Sequence, residues 1–302
     1  SNLAYFQVKV TTGSAQTGTL VSDWLTVVSG ISAAAYSADW ALPEAVFTAM
    51  QSGLNYVSVR VYDNGGLTAG LTDVFYVKKS TAAPIVTDNQ AGDDTWRNAA
   101  GTLYNVDFQD SGTSLLSAAQ YKVTSLPAQA GTLVKDWTNI ASNINASAYT
   151  TNWSVDFAAL SENGTNYVSV RAWDVAGATT TAQDVFYIRK DITLPGITDL
   201  QAGDDTWRNA DSGAYNVDFT DAGGALLDKF QLKVTTGPSQ TGTLVSDWAD
   251  AVAGINATSY SANWALPTGL WNAMLEGPNY VSVRVYDKAG NRRVKEWSFV
   301  VD

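Results

Sequence analysis

The sequence of 302 residues contains no cysteine and no histidine. Without cysteine, the chain has no disulfide framework, no thiol nucleophile and no thiolate ligand for zinc. Without histidine, it lacks the commonest general base and the usual ligand of transition metals. Ser–His–Asp and Cys–His catalysis are therefore excluded within this chain. Because only carboxylates, lysine and tyrosine remain for enzymatic chemistry, we expect a protein that is not an enzyme.

Basic side chains are also scarce. Lysine and arginine together number 18 against 29 aspartates and glutamates, which gives a net charge of −11. Proteins bind nucleic acid mostly through basic side chains that neutralise phosphates, so nucleic acid is excluded as an expected partner. An acidic balance is compatible with Ca²⁺ as a ligand.

Long apolar runs are absent as well. No run approaches the ~18 residues of a membrane helix, so we expect no membrane insertion in this segment. The first residues, SNLAYFQVKV, alternate apolar and polar side chains as a strand does, and they lack the apolar region of a signal peptide. Since no Met precedes them, we expect a mature or excised piece of a longer chain.

What the chain does contain is one twelve-residue segment in three versions. We call this segment the phrase and the strand that it is predicted to form the phrase strand. NYVSVRVYDNGG begins at Asn55, NYVSVRAWDVAG at Asn166 and NYVSVRVYDKAG at Asn279, at spacings of 111 and 113 residues. This period exceeds the ~20–50 residues of solenoid repeats, so each copy is expected to be a domain with its own core. Pro84 and Pro195 stand where the second and third copies begin. The predicted domains, named copies one, two and three, are residues 1–82, 83–194 and 195–302.

Each copy consists of short segments rich in Val, Tyr, Phe and Thr, separated by Gly, Asn, Asp and Ser. About seven such strands in ~110 residues are typical of an immunoglobulin-like β-sandwich. In NYVSVRAWD the side chains alternate, so Val168 and Val170 are predicted to face the core and Arg171 the solvent. The D-x-x-G that follows is a turn signal. The predicted fold class is all-β, with tandem immunoglobulin-like β-sandwich domains arranged as extended beads on a string.

Copy one is short at its beginning. Because Ser1 aligns with Ser114 and Ala225, residues 84–113 of copy two and 195–224 of copy three have no counterpart in copy one. We predict that copy one lacks its N-terminal strands and exposes an apolar face and an unpaired edge. Two explanations stay open: the chain is a fragment of a longer repeat array, or a neighbouring molecule donates the missing strands. In either case we expect the exposed edge to be covered.

The motif G-x-N-Y-V-S-V-R-V-Y-D-x-A-G-N resembles the penultimate strand of bacterial immunoglobulin-like and fibronectin type III-like domains, which recur in tandem in large bacterial surface proteins. Its turn is matched fully in copy three, at Asp287, Ala289, Gly290 and Asn291. Copy one has Gly65 for the alanine, copy two has Ala178 for the asparagine, and the usual tyrosine of the strand is replaced by asparagine in every copy. The resemblance implies a structural or adhesive segment, a stalk or filament, of an extracellular cell-surface protein. Its implied partners are other copies of itself or neighbouring domains of a longer chain.

The outward side of each phrase strand has an arginine between two aromatic residues. These aromatic rows are Tyr56, Arg60 and Tyr62 in copy one, Tyr167, Arg171 and Trp173 in copy two, and Tyr280, Arg284 and Tyr286 in copy three. Arginine between aromatic rings can form a cation–π ladder. Such a ladder either stiffens the sheet or provides a docking face for a glycan or a cell-surface protein. A further alternative is an accessory region of a secreted polysaccharide hydrolase.

Aspartates are predicted to gather at the poles of the copies, beside the linkers. The expected topology brings Asp110 close to Asp174, and Asp221 close to Asp287, with the linker residue Asp191 beside the latter pair. Ca²⁺ takes six to eight oxygen ligands, so it is the candidate cofactor, and no other is expected. The alternative is that these aspartates serve only as turn residues, since no D-x-D-x-D loop is present.

Adjacent carboxylates occur twice, in the two AGDDTWRN segments. The pairs are Asp93–Asp94 and Asp204–Asp205. Neighbours on a strand point to opposite faces, so these pairs cannot be the facing acid and base of a glycosidase, whose carboxyls stand about 5–9 Å apart. We expect a turn or a strand switch there, with Arg97 or Arg208 paired to one carboxylate.

Overall fold

The computed structural model describes residues 1–90, 95–201, 207–211 and 213–301, without the side chain of Trp297. Over these residues the chain forms nineteen strands, two short α-helices and one 3₁₀ turn. The all-β fold class is therefore confirmed. The predicted Asp93–Asp94 and Asp204–Asp205 pairs lie outside the described residues.

Copy one forms a single four-stranded antiparallel sheet. Its elements are β1 (Leu3–Gly13), β2 (Thr17–Ala33), α1 (Glu44–Ala49), β3 (Gly53–Asp63) and β4 (Thr68–Lys79). The strand order is β2-β1-β3-β4, so the phrase strand β3 is central.

Copy two has two sheets. Its elements are β5 (Ile85–Asp88), β6 (Trp96–Arg97), β7 (Val106–Gln109), β8 (Leu116–Thr124), β9 (Leu133–Ala146), β10 (Ala148–Tyr149), the 3₁₀ turn Phe157–Ala159, β11 (Gly164–Asp174) and β12 (Thr179–Lys190). One sheet has the order β10-β7-β5 and the other β6-β12-β11-β8-β9.

Copy three repeats this plan. Its elements are β13 (Gly196–Asp199), β14 (Val217–Thr220), β15 (Leu227–Gly237), β16 (Thr241–Ala257), β17 (Ser259–Tyr260), α2 (Thr268–Ala273), β18 (Asn279–Asp287) and β19 (Arg292–Val301). Its sheets have the orders β13-β14-β17 and β16-β15-β18-β19. Copies two and three are therefore two-layer sandwiches.

The alternation of each phrase strand places its valines between the layers. Val168 and Val170 of β11, like Val281 and Val283 of β18, are fully buried, as predicted. Each copy has a hydrophobic core of its own, made of residues from that copy. Burial of apolar area is the main favourable term in folding, so each core stabilises its own copy.

Aromatic side chains join the two layers. In copy two, Tyr104 stacks on Phe186 of the opposite sheet with ring centroids 4.3 Å apart. Trp153 is buried, and its indole N–H donates to the backbone carbonyl of Val106 at 3.2 Å. Buried indole groups need such a partner. The same contacts recur in copy three, between Tyr215 and Phe299 and between Trp264 and Val217.

Copy one has one layer where the others have two, so its inner face is open. Phe75 is 37% exposed, whereas Phe186 at the aligned position of copy two is 4% exposed. Leu71 and Val74 beside it are exposed as well. The predicted loss of the N-terminal strands and the predicted apolar face are therefore confirmed. That this face is covered by something else stays a prediction.

A buried asparagine takes the place of the tyrosine that is usual at the start of the phrase strand. In copy three, the Asn279 side chain accepts from the backbone N–H of Leu275 at 3.1 Å and donates to the carbonyl of Gly277 at 2.7 Å. It also donates to the carbonyl of Val301 at 3.3 Å. Asn55 and Asn166 likewise bond the backbone four or five residues upstream. The asparagine thus ties the incoming loop to the sheet, the task that a tyrosine corner performs in related sandwiches.

We predict that Asn279→Ala destabilises copy three by about 1–3 kcal/mol, because it leaves buried backbone groups without partners. Chemical denaturation followed by tryptophan fluorescence measures this change. The control is Asn272→Ala, at an exposed site in α2, which should change the free energy of unfolding by no more than about 0.5 kcal/mol. Equal effects of the two substitutions would contradict the structural role of Asn279.

Candidate metal centre

Three aspartates meet where copy two joins copy three, at what we call the second joint. Asp191 follows β12 in the linker, Asp221 follows β14, and Asp287 ends the phrase strand β18. They are 0%, 5% and 2% exposed, and one carboxylate oxygen of each lies within 4.8 Å of the others. The juxtaposition that the sequence predicted for these three residues is present in the structure.

Most of the carboxylate oxygens at the second joint are held by hydrogen bonds. Asp191 accepts from the backbone N–H of Thr193 at 2.9 Å and of Ala225 at 2.8 Å. Asp287 accepts from the backbone N–H and the side-chain amide of Asn291, at 2.8 and 2.7 Å. The amide of Asn291 also donates to the backbone carbonyl of Asp191 at 2.9 Å. These bonds hold the linker against the turn of copy three.

One carboxylate oxygen has no such partner. Asp221 Oδ1 accepts from the N–H of Gly223 at 2.9 Å, but Asp221 Oδ2 is buried and makes no hydrogen bond. A buried, unpaired carboxylate oxygen is costly in an apolar environment. Among the carboxylate oxygens of the second joint, it is the one that has no hydrogen-bond donor and that a cation would satisfy.

The electrostatics of the second joint agree with this. Burial, reinforced by the nearby charges of Asp191 and Asp221, raises the pKa of Asp287 from its ordinary 3.8 to about 6. Burial and the charge of Asp191 raise the pKa of Asp221 as well. Carboxylates that share a site cannot all ionise cheaply. A divalent cation that prefers oxygen ligands would offset the repulsion between the ionised carboxylates. Three carboxylates together with water are a ligand set that suits Ca²⁺.

The first joint, between copies one and two, differs. Asp110 and Asp174 are buried there. Asp174 Oδ2 accepts from the Ser114 hydroxyl at 2.5 Å, and Asp174 Oδ1 from the N–H of Ala178 at 2.7 Å. Ser80 occupies the linker position of Asp191. In the part of the chain that the structure describes, only the second joint collects three metal-ligating side chains.

The aromatic rows are present, but their partners differ from the prediction. The guanidinium of Arg171 lies 4.3 Å from the ring centroid of Trp137, on β9, which is two strands away in the same sheet, and 5.6 Å from that of Trp173. Its Nε donates to Gln120 at 2.9 Å. Tyr167 pairs with Tyr187 instead of the arginine, at 6.1 Å.

The same stack recurs in the other copies. Arg60 lies over Trp24 and Tyr62, and Arg284 lies over Trp248 and Tyr286, while Tyr56 pairs with Tyr76. Arg171 and Arg284, which were predicted to be exposed, are half-buried, because a tryptophan two strands away in the same sheet covers each guanidinium. The recurring GTLV-x-DW segment was the signal for this tryptophan. Since every copy has the stack, sheet stiffening explains it without a ligand.

A tryptophan also contributes to the second joint. Trp96 of copy two packs so closely over Gly224 of copy three that a Cβ on the glycine would collide with the indole ring. The aligned residue of copy three, Trp207, is 70% exposed. The two copies are therefore joined by apolar as well as polar contacts.

Comparison with known proteins gives the following picture. No family model matches the chain, and no curated protein matches its sequence. The chain is similar to the solved structure of a tetra-tandem repeat in the extending region of a large adhesion protein, at 18% identity and a TM-score of 0.35, over 100% of this chain and 68% of that one. It is similar to a structure of a bacterial ice-binding adhesin, at 15% identity and a TM-score of 0.31, over 100% of this chain and 86% of that one.

A third similarity is to fibronectin(III)-like modules of Clostridium thermocellum CbhA, at 12% identity and a TM-score of 0.29, over 72% of this chain and 92% of that one. All three TM-scores are below 0.5, so the fold assignment rests on the strands, sheets and cores described above. Within the described residues, no helix has the length and apolar character to cross a bilayer.

We predict a pH effect on the metal-free protein. Because the folded-state pKa of Asp287 is raised to about 6, the folded chain binds this proton more tightly than the unfolded chain, and the resulting stability is lost as pH rises through about 6. Asp287→Asn mimics the protonated side chain. In chelator, the melting temperature of the variant relative to the wild type should therefore rise between pH 4.5 and 7.5.

The control for this measurement is Asp63→Asn, at the aligned position of copy one. Hydrogen bonds from Ser1 and the backbone lower the pKa of Asp63, so its removal should give no such relative gain. A difference between the Asp287→Asn variant and the wild type that does not change with pH would show that Asp287 has an ordinary pKa.

Proposed function

We propose that this chain is a structural segment, a stalk or filament, of an extracellular repeat adhesin, and that it carries out no catalysis. The observation that supports this proposal best is the second joint. There a short linker is hydrogen-bonded to both copies: the Asp191 N–H donates to Arg97 of copy two at 3.0 Å, and the Asp191 side chain accepts from Ala225 of copy three at 2.8 Å. A linker held in this way favours a fixed angle between domains over free rotation.

The absence of a catalytic constellation from the sequence supports the same proposal. Among the residues that the structure describes, three carboxylates come together at the second joint, where they are buried and a substrate has no access. The other repeated polar feature, the stacked arginine, recurs in every copy. Features common to all copies serve what all copies share, which is the fold and its connections. The expected partners are therefore neighbouring domains of a longer chain.

We further propose that Ca²⁺ binds at the second joint and fixes the orientation of copy three relative to copy two. Asp191, Asp221 and Asp287 would hold the ion, with water completing the six to eight oxygens that Ca²⁺ prefers. The ion would neutralise carboxylates whose mutual repulsion otherwise weakens the joint. Bound Ca²⁺ would then make the segment stiffer and more stable.

A second candidate function is binding of a glycan by exposed aromatic side chains. One observation favours it: Trp207 is 70% exposed, whereas the aligned Trp96 is covered by the next copy. Glycans stack on exposed aromatic planes of this kind. An accessory region of a secreted polysaccharide hydrolase would use the same feature, and sequence adjoining this segment would distinguish the two.

The stalk proposal predicts an extended molecule in solution. A compact chain of this length has a radius of gyration of about 19 Å, and we expect small-angle scattering in Ca²⁺ to give a clearly larger value. Because copies two and three are complete sandwiches, the isolated segment 83–302 serves as a control for effects of the open copy one. A compact globule for both chains would contradict the proposal.

The Ca²⁺ proposal predicts that chelation lowers the melting temperature of the wild-type chain. In no variant should chelation lower the melting temperature by more than it does in the wild type. Asp287→Asn should remove the response to chelator, because it deletes one charged ligand. Asp39→Asn, at an exposed site in copy one, should keep it. Identical wild-type melting curves with and without chelator would leave these aspartates with structural hydrogen bonds alone.

A further inference from the structure

The two joints align residue by residue, so each is an internal control for the other. The first joint has Ser80, Asp110, Asp174 and Ser114 where the second has Asp191, Asp221, Asp287 and Ala225. Two of the four positions are aspartate in both joints. At these four positions the second joint has one more carboxylate, and the first has two hydroxyls that the second lacks. Beyond them, the first joint has Ala178 where the second has Asn291.

The structure places Ser80 and Asp191 equivalently in space. A Cβ on Gly112 would lie 2.9 Å from Ser80 Oγ, and a Cβ on Gly223 would collide with the Asp191 carboxylate. Gly112 and Gly223 each stand two residues after the pole aspartate, so both linker side chains lie over the same turn. In the second joint this position supplies a third carboxylate, and in the first it supplies a hydroxyl.

Hydroxyl groups already satisfy part of the first joint. Ser114 Oγ donates to Asp174 Oδ2 at 2.5 Å and lies 3.3 Å from Ser80 Oγ. In the second joint, Ala225 has no hydroxyl to offer, and its backbone N–H bonds Asp191 instead. The first joint therefore has two negative charges, one of them stabilised by a hydroxyl donor, whereas the second has three.

We infer that the residue at the linker position, Ser80 or Asp191, determines which joint takes a divalent cation. The second joint binds one ion, and the first joint binds none. This inference rests on the proposed Ca²⁺ site. The third carboxylate, which occurs only at the second joint, carries the difference between the joints. The unpartnered Oδ2 of Asp221, a residue 5% exposed, lies in that cluster and supports an ion there. Ligand charge sets Ca²⁺ affinity, so losing one carboxylate of three weakens a site strongly.

The first joint also has Ala178 in place of Asn291, but its pole aspartate matches that of the second. Asp110 Oδ2 is buried without a hydrogen-bond partner, as Asp221 Oδ2 is. A carboxylate at position 80, with the Ser114 hydroxyl removed, would reproduce the ligand set of the second joint. The chain thus contains one joint fixed by the ion and one whose stiffness does not depend on it.

Calorimetric titration of the full chain with CaCl₂, after removal of metal by chelator, tests the inference by stoichiometry. We expect one ion for the wild type, none for Asp191→Ser, and two for the double variant Ser80→Asp/Ser114→Ala. The matched control is Ser80→Asn/Ser114→Ala, which adds a side chain of the same size without the charge and should still bind one ion. Circular dichroism of each variant confirms that it is folded.

The outcomes separate this inference from the Ca²⁺ proposal beneath it. A wild-type chain that binds no Ca²⁺ contradicts the proposed site itself. A wild-type chain that binds two ions, or an Asp191→Ser variant that still binds one, keeps Ca²⁺ binding but overturns the role of the linker position. One ion for the wild type with one ion for Ser80→Asp/Ser114→Ala also overturns it.

Discussion

Burial of like charges at the second joint is the constraint on which the connection of copies two and three depends. Asp191, Asp221 and Asp287 are out of contact with solvent, and their charges raise one another's cost of ionisation. Backbone N–H groups around the joint offset part of that cost by donating hydrogen bonds to the carboxylates. After the turn at Asp287, the side-chain amide of Asn291 donates hydrogen bonds to Asp287 and Asp191. Gly223 has no side chain, which leaves room for the carboxylate of Asp191. The linker path, the turn and the glycine all follow from placing these carboxylates together.

Comparison of the copies separates features of the fold from features of a particular joint. The inward valines, the asparagine that ties the loop to the sheet and the arginine stacked on tryptophan occur in all three copies, so they belong to the sandwich. The linker residue and the residue before the next strand differ between joints. Position 80 lies over the same turn as position 191 but has no charge. Functional differences along a repeat array arise where such aligned residues diverge.

Much of this architecture could be predicted from the sequence because β-sandwich strands follow a period of two. The alternation in NYVSVRAWD placed Val168 and Val170 correctly, and the spacing of the phrase predicted separate cores. The partner of Arg171 could not be predicted, because Trp137 reaches it from another strand, and the pairing of β8 with β9 contains several register shifts. The hydrogen bonds of the asparagine that replaces the usual tyrosine could not be predicted from the sequence, because they depend on the path of a loop. The acidic cluster of the second joint was predicted from topology, but the difference between the joints required the spatial equivalence of Ser80 and Asp191.

The hydrogen bonds of Asp191 have a mechanical consequence. Its backbone N–H is bonded to copy two, while its carbonyl and carboxylate are bonded to copy three. Tension applied along the chain passes from β12 through this residue into β13. In a stalk under tension, the bonds of Asp191 would therefore be loaded before either sheet is sheared, and the two separate cores would stay folded when these bonds break. Under repeated pulling, the second joint would act as an extensible element that dissipates work and protects the sandwiches on either side.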